Sequence, residues 1–183
     1  MSIRMKGTAV AALLLLALVG LAGCSVSPPK GVKVVTSFEL DRYLGTWYEI
    51  ARLDHSFERD LDNVKAEYSL RPDGNVEVVN SGYDVKSGER NEAVGVAKFI
   101  GSENLASLKV SFFGPFYGGY HVVELDDDYR WALVIGPSRK YLWILARDKQ
   151  IPEDVRVRLM QRATELGIDV SELIWVEQDR TDV

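Results

Sequence analysis

Cysteine is almost absent: the 183-residue chain has one, Cys24. That excludes a disulfide framework and any zinc site built on paired thiolates. Histidine is nearly as scarce, with His55 and His121 alone. No His/Cys/carboxylate cluster has metal-site spacing, and no Gly-x-Ser-x-Gly elbow marks a hydrolase nucleophile. Both histidines are read as surface groups or local hydrogen-bond partners. The acidic run Asp126-Asp127-Asp128 reads as a solvated hairpin rather than a calcium loop. No catalytic residue, metal or cofactor is expected. A basic excess is lacking too: 22 Lys and Arg face 27 Asp and Glu, a formal net charge of −5. This argues against nucleic acid and against a basic face for anionic headgroups. The chain shows no internal repeat of solenoid length.

A long apolar run is also missing. The stretch from Thr8 to Leu21 falls short of the roughly 20 residues of a spanning helix. It follows a basic head, Arg4 and Lys6, and ends in Leu21-Ala22-Gly23-Cys24. Basic head, apolar run and small residues make a secretory signal. The last four residues resemble a bacterial lipobox. That resemblance implies cleavage before Cys24, lipidation of its thiol and anchoring by acyl chains, each buried methylene gaining roughly 0.8 kcal/mol. Ser25, in place of Asp, implies the outer membrane of a diderm cell, facing the periplasm. Residues 1–23 are thus expected to be a signal peptide. Residues 24–35, with Pro28, Pro29 and Gly31, are expected to be a lipidated N-terminus and tether. The remainder, residues 36–183, has the length of one ordinary domain.

Strand signals dominate that domain. Val64 to Leu70 alternates apolar and polar residues, and Arg71-Pro72-Asp73-Gly74-Asn75 is a turn. With Trp47–Leu53, Val76–Gly82, Glu92–Ile100, Ser107–Phe113, Gly118–Leu125, Tyr129–Ile135 and Tyr141–Arg147 the series reaches eight. Regular spacing and short links predict an all-β, antiparallel up-and-down barrel or sandwich. One helix follows. Pro152, Glu153 and Asp154 suit its start, Val155, Leu159, Ala163 and Leu166 form an apolar stripe, and Gly167 suits its end. Glu172–Val176 reads as a last short strand.

Gly45-Thr46-Trp47 in the first strand resembles the first lipocalin signature. Asp126-Asp127-Asp128-Tyr129 resembles the second, with Asp127 where the family often has Thr. Tyr141 to Arg147 resembles the third. Helix and final strand follow in family order, so the resemblance covers about residues 36–178. Phe112 to Tyr120 is similar to the same stretch of bacterial outer-membrane lipocalins. The resemblance implies an eight-stranded antiparallel lipocalin barrel with a C-terminal α-helix and short final strand. It implies that Trp47 and Arg147 form a structural pair at the barrel base, a cation–π contact of ~0.5–2 kcal/mol.

Period-two alternation, matched to the family, then assigns an interior. Glu49 and Ala51 follow Trp47 inward. Val64, Ala66 and Tyr68, then Val76, Val78 and Asn80, are expected inside. Val110, Phe112, Tyr120, Val122, Trp131, Leu133, Ile135, Tyr141, Trp143 and Leu145 complete the lining. The expected ligand-binding residues are Glu49, Ala66, Tyr68, Val78, Asn80, Val110, Phe112, Tyr120, Trp131, Leu133, Tyr141 and Trp143. Asn80, Phe112, Tyr120, Tyr141 and Trp143 are placed toward the open end. An inward Glu49 needs a partner, expected to be an inner Tyr or Asn or a polar part of the ligand. Such a pocket suits a hydrophobic tail with sparse polar anchors. The expected function is an envelope lipoprotein that binds, stores or transports fatty acids, lysophospholipids or similar ligands. Its partners are that ligand and, through the acyl chains, the membrane; a homodimer is left open. Two other readings stay open: an enzyme acting on a hydrophobic substrate in the barrel, and a structural lipoprotein whose barrel is filled.

Overall fold

The computed structural model describes residues 26–181. The signal segment and Cys24 lie outside the described residues. After a single helical turn, α1 (Leu40–Tyr43), come eight strands. They are β1 (Gly45–Arg52), β2 (Leu61–Leu70), β3 (Val76–Asp84), β4 (Arg90–Phe99), β5 (Ser107–Phe113), β6 (Phe116–Leu125), β7 (Trp131–Ile135) and β8 (Leu142–Ala146). Helix α2 (Glu153–Glu165), a 3-10 turn (Val170–Glu172) and β9 (Ile174–Trp175) follow. Each strand from β2 to β7 pairs with the next, and β1 pairs antiparallel with both β2 and β8. The ring is closed, and β9 adds outside β1 through Ala51 and Arg52. The expected barrel, helix and final strand are all present.

Local chemistry explains the small departures. Tyr129 is not a strand residue; its φ of 59° lies in the left-handed region. It ends a turn organised by Asp126, whose carboxylate accepts from the backbone N–H groups of Asp128 and Arg130. Bidentate Arg130 holds the same carboxylate, so Asp126 is a buried turn anchor rather than a solvated group. The final strand is only two residues because Asp169 caps Ser171 and winds Val170–Glu172 into a 3-10 turn. Helix α2 ends as expected: Gly167 takes a φ of 78°, open to glycine at little cost.

Two apolar layers result. Inside the ring, Trp47, Ala66, Tyr68, Val76, Val78, Ala97, Leu108, Val122, Ala132, Val134 and Leu145 share one buried cluster. Outside it, Leu159 and Ala163 of α2 pack on Val123, Trp131, Leu133, Ile135 and Ile144. Strand β7 is therefore buried at every residue. Here the alternation expected from sequence is corrected. Val134 pairs with Val122 and with Trp143, and directly paired residues share a face. Val134 and Ala132 thus face inward, while Trp131, Leu133 and Ile135 face the helix. Ala51 is corrected likewise. A bulge between Glu49 and Ala51 turns both Ile50 and Ala51 outward, into the helix-side cluster.

The two ends differ. The narrow end holds the β2–β3, β4–β5 and β6–β7 links and α1. Arg147 lies 4.0 Å from the Trp47 ring centroid. Its guanidinium donates to the carbonyls of Thr46, Arg42, Leu44 and Tyr129, and Trp47 Nε1 donates to Tyr43 O. Trp47 is 0 % exposed. Trp47→Ala is expected to cost about 3–5 kcal/mol in urea unfolding; a loss below about 1 kcal/mol would show that the base does not depend on this ring.

Candidate functional site

The interior is apolar toward the base. Phe38, Leu40, Tyr43, Tyr68, Val76, Ala97, Leu108, Val110 and Tyr120 line a void of about 20 Å³. Three phenols meet at its upper side: the Tyr43 and Tyr120 hydroxyls are 2.7 Å apart, those of Tyr68 and Tyr120 3.0 Å. Burial pushes all three phenols up, so they remain neutral donors and acceptors. The void has room for about one water molecule, so a ligand chain needs side chains to move.

Toward the mouth the lining becomes polar. The β1 bulge that expels Ile50 and Ala51 brings Arg52 inward beside Glu49, and both are almost wholly buried. Arg52 Nη1 donates to Glu49 Oε1 at 2.7 Å, and Nη2 donates to the carbonyls of Glu58 and Leu61. Its Nε is buried without a partner. Glu58 reaches in from the connection between β1 and β2. Its Oε2 accepts from Trp143 Nε1 at 3.0 Å and lies 3.5 Å from His55 Nδ1. The His55 ring stacks on Phe57 and Tyr141 and tilts against Trp143. This connection is thereby folded across part of the mouth. Two strands from β1, Asn80 of β3 carries a buried Oδ1 without a partner. Phe112 lies over Gly95, where a side-chain carbon would come within 2.8 Å of the Phe112 ring.

Of the residues expected to bind ligand, Ala66, Tyr68, Val78, Val110, Tyr120 and Trp143 belong to the inner cluster or pack against it. Glu49 and Asn80 form part of the polar girdle, and Phe112 covers the wall at Gly95. Tyr141 sits at the rim, just before β8. Trp131 and Leu133 stand apart on the outer face, with Arg158 of α2 over the Trp131 ring. Glu49 meets Arg52 rather than an inner Tyr or Asn. Arg52, Glu58 and His55 were absent from the expected set. Strict alternation hides Arg52; the signal that reveals it is Ile50-Ala51, an apolar pair between two charges, where a bulge must fall. His55 and His121 are both buried rather than at the surface. His121 is on the outer wall, bonded to Ser107 Oγ at 2.9 Å.

Comparison with known proteins agrees with this architecture. The family model of the lipocalin-like domain matches residues 38–178. Outer membrane lipoprotein Blc of Escherichia coli is 55% identical over 154 residues, covering 84% of this chain and 87% of that protein. The protein of the same name from Vibrio cholerae is 48% identical over 166 residues, covering 90% and 96%. Among solved structures, insecticyanin from the tobacco hornworm superposes with a TM-score of 0.67 at 23% identity, over 82% of this chain and 86% of that one.

The buried polar groups titrate in opposite senses. Burial, then the neighbouring charge of Arg52, lowers the His55 pKa to about 4. Burial also lowers that of His121 to about 4. Burial raises the carboxyls of Glu49 and Glu58, the Glu58 charge pushing Glu49 further, while Arg52 opposes both. The histidines contribute stability that is full above 6.5 and is lost as pH falls toward 4. The carboxyls contribute stability that is full at low pH and is lost as pH rises through their raised values. As pH falls from 7 to 5, protonation of the unfolded histidines brings a fall in stability, which the rising contribution of the two carboxyls opposes. Changing both (His55→Gln with His121→Gln) should remove that fall and leave the opposite slope of the carboxyls. Urea midpoints measured across this window decide it; an unchanged slope would contradict the assignment.

Proposed function

The chain belongs to the lipocalin-like family, and from that premise we propose that it binds one amphiphilic lipid per barrel. The tail occupies the aromatic chamber and the head lies at the girdle of Asn80, Glu49 and Arg52. The carrying observation is the polarity gradient along one inner wall. Apolar side chains near the base give way to buried polar atoms that lack partners, Asn80 Oδ1 and Arg52 Nε. Unsatisfied buried polar atoms cost free energy; an anionic ligand head offers the acceptor that Arg52 Nε lacks, and a hydroxyl or ammonium on that head offers the donor that Asn80 Oδ1 lacks. Arg52 is the cation inside the ring nearest that head, which favours a carboxylate or phosphate over a neutral group.

The same proposal places the protein at the outer membrane, held by acyl chains on Cys24 and facing the periplasm. The relatives named outer membrane lipoprotein support this, as does the lipobox resemblance. Binding rather than catalysis is the activity this reading assigns: both inward carboxylates are engaged, Glu49 by Arg52 and Glu58 by Trp143. One observation favours a second reading. The void of about 20 Å³ is what a barrel filled by its own side chains would show.

A paired substitution tests the reading. Cis-parinaric acid is titrated into protein carrying Cys24→Ser, which removes the anchor. Trp143→Ala is expected to weaken binding by about tenfold, equivalent to ~1.4 kcal/mol of lost contact. Leu133→Ala, on the helix side, is expected to cost stability yet leave affinity within about twofold. Failure of the parent protein to bind would favour the filled barrel.

A further inference from the structure

We infer that the barrel is held mouth-down on the membrane leaflet that carries the Cys24 acyl chains, with its aromatic rim seated among the lipid headgroups. The inference rests on the anchor proposed above. Its first support is the path of the N-terminal segment. Val26 lies against the outer wall at Gly119, where a side-chain carbon would fall 2.9 Å from the Val26 carbonyl oxygen. Gly119 is the fourth residue of β6, which starts at the mouth. At ~3.4 Å per residue it lies about 10 Å below the hairpin tip. Four residues later, Lys30 O accepts from Arg139 Nη2 at 3.0 Å, and Arg139 belongs to the β7–β8 link at the same end. Only then does the segment run toward the base. Val35 exchanges bonds with Val122 and Ala106, and Thr36 bridges to Leu105. The described fold is thus entered at Val26, on the mouth half of the outer wall, and the anchor proposed above precedes it by two residues in sequence.

The second support is independent of the path. Phe113 is 82 % exposed and Phe116 64 %, both on the β5–β6 hairpin; Phe57 on the β1–β2 connection is 62 % and Val85 on the β3–β4 hairpin 54 %. Three of the four links around the mouth thus present bare apolar side chains. At the base, Leu70 is the large apolar residue so exposed among the described residues. Exposed apolar groups gathered at one end of a barrel suit a partner, and aromatic rings favour the headgroup level of a bilayer. Rim charges meet opposite charges, Lys86 with Asp60 and Arg59 with Asp54. Seating is therefore through apolar insertion, not through a basic face. In this pose an amphiphile passes between leaflet and barrel without crossing water.

The test uses the lipidated chain in vesicles of phosphatidylethanolamine and phosphatidylglycerol. With Cys24 acylated there is no other thiol, so Phe113→Cys or Leu70→Cys takes a nitroxide at one site. Collision with oxygen and with a water-soluble nickel chelate reports depth. The expected result is a several-fold lower nickel-to-oxygen accessibility at 113 than at 70. Equal accessibility at the two sites, or deeper insertion at 70, overturns the orientation while leaving the anchor intact. Spin–spin broadening at 113 without bilayer depth shows that a second copy covers the rim and also overturns it. Failure of the chain to float with vesicles, matching a Cys24→Ser control, overturns the anchor itself.

Discussion

Closure of the strand ring is the constraint on which the rest depends. Strand β1 pairs with β2 on one side and β8 on the other, so no edge of the ring is left to template aggregation. A closed ring has an inside. Once eight strands enclose it, each side chain is committed to one of two environments. The narrow inside is sealed at one end, where the Arg147 guanidinium caps Trp47 and satisfies backbone carbonyls around α1. The broad outside is roofed by α2. A closed end makes the interior a blind chamber, and a ligand can enter only from the mouth.

The chamber explains why its polar groups behave as they do. Water that would hydrate Glu49, Arg52 and Glu58 is excluded, so their charges are held by one another, by backbone carbonyls and by Trp143. Such a buried network is weak as a source of stability and strong as a source of specificity. It gives the barrel a polarity axis: hydroxyls and apolar rings below, an arginine and an amide above. The rim then reverses the pattern, exposing phenylalanines where a soluble barrel would be polar. Chamber, girdle and rim stack in the order that an amphiphile standing tail-down requires.

Much of this was legible in the residues, and the gaps have physical causes. Alternation in Val64–Leu70 and the turn at Arg71–Asn75 specify strand and hairpin directly, and the Gly-x-Trp and Tyr-to-Arg segments place the two partners of the base. Trp131 and Leu133 were misplaced because β7 is buried on both faces. Hydropathy cannot orient a strand when helix and cavity are equally apolar; the register with Trp143 and Val122 does. Ala51 and Arg52 exchanged roles because a bulge breaks period two, leaving only the apolar pair Ile50-Ala51 as a trace. Glu58 and His55 come from a connection whose fold over the mouth depends on contacts far apart in sequence, such as Trp143 with Glu58. Helix α1 has four residues, too short for a periodic signal.

The proposed reading of the chamber, one amphiphile per barrel with its head at the girdle, is open to direct measurement. Native mass spectrometry of the purified protein, followed by lipid extraction, tests it most directly. The expected result is one fatty acid or lysophospholipid per barrel, exchangeable for an added competitor of the same class. A ligand-free barrel that also refuses added fatty acids and lysophospholipids would contradict it.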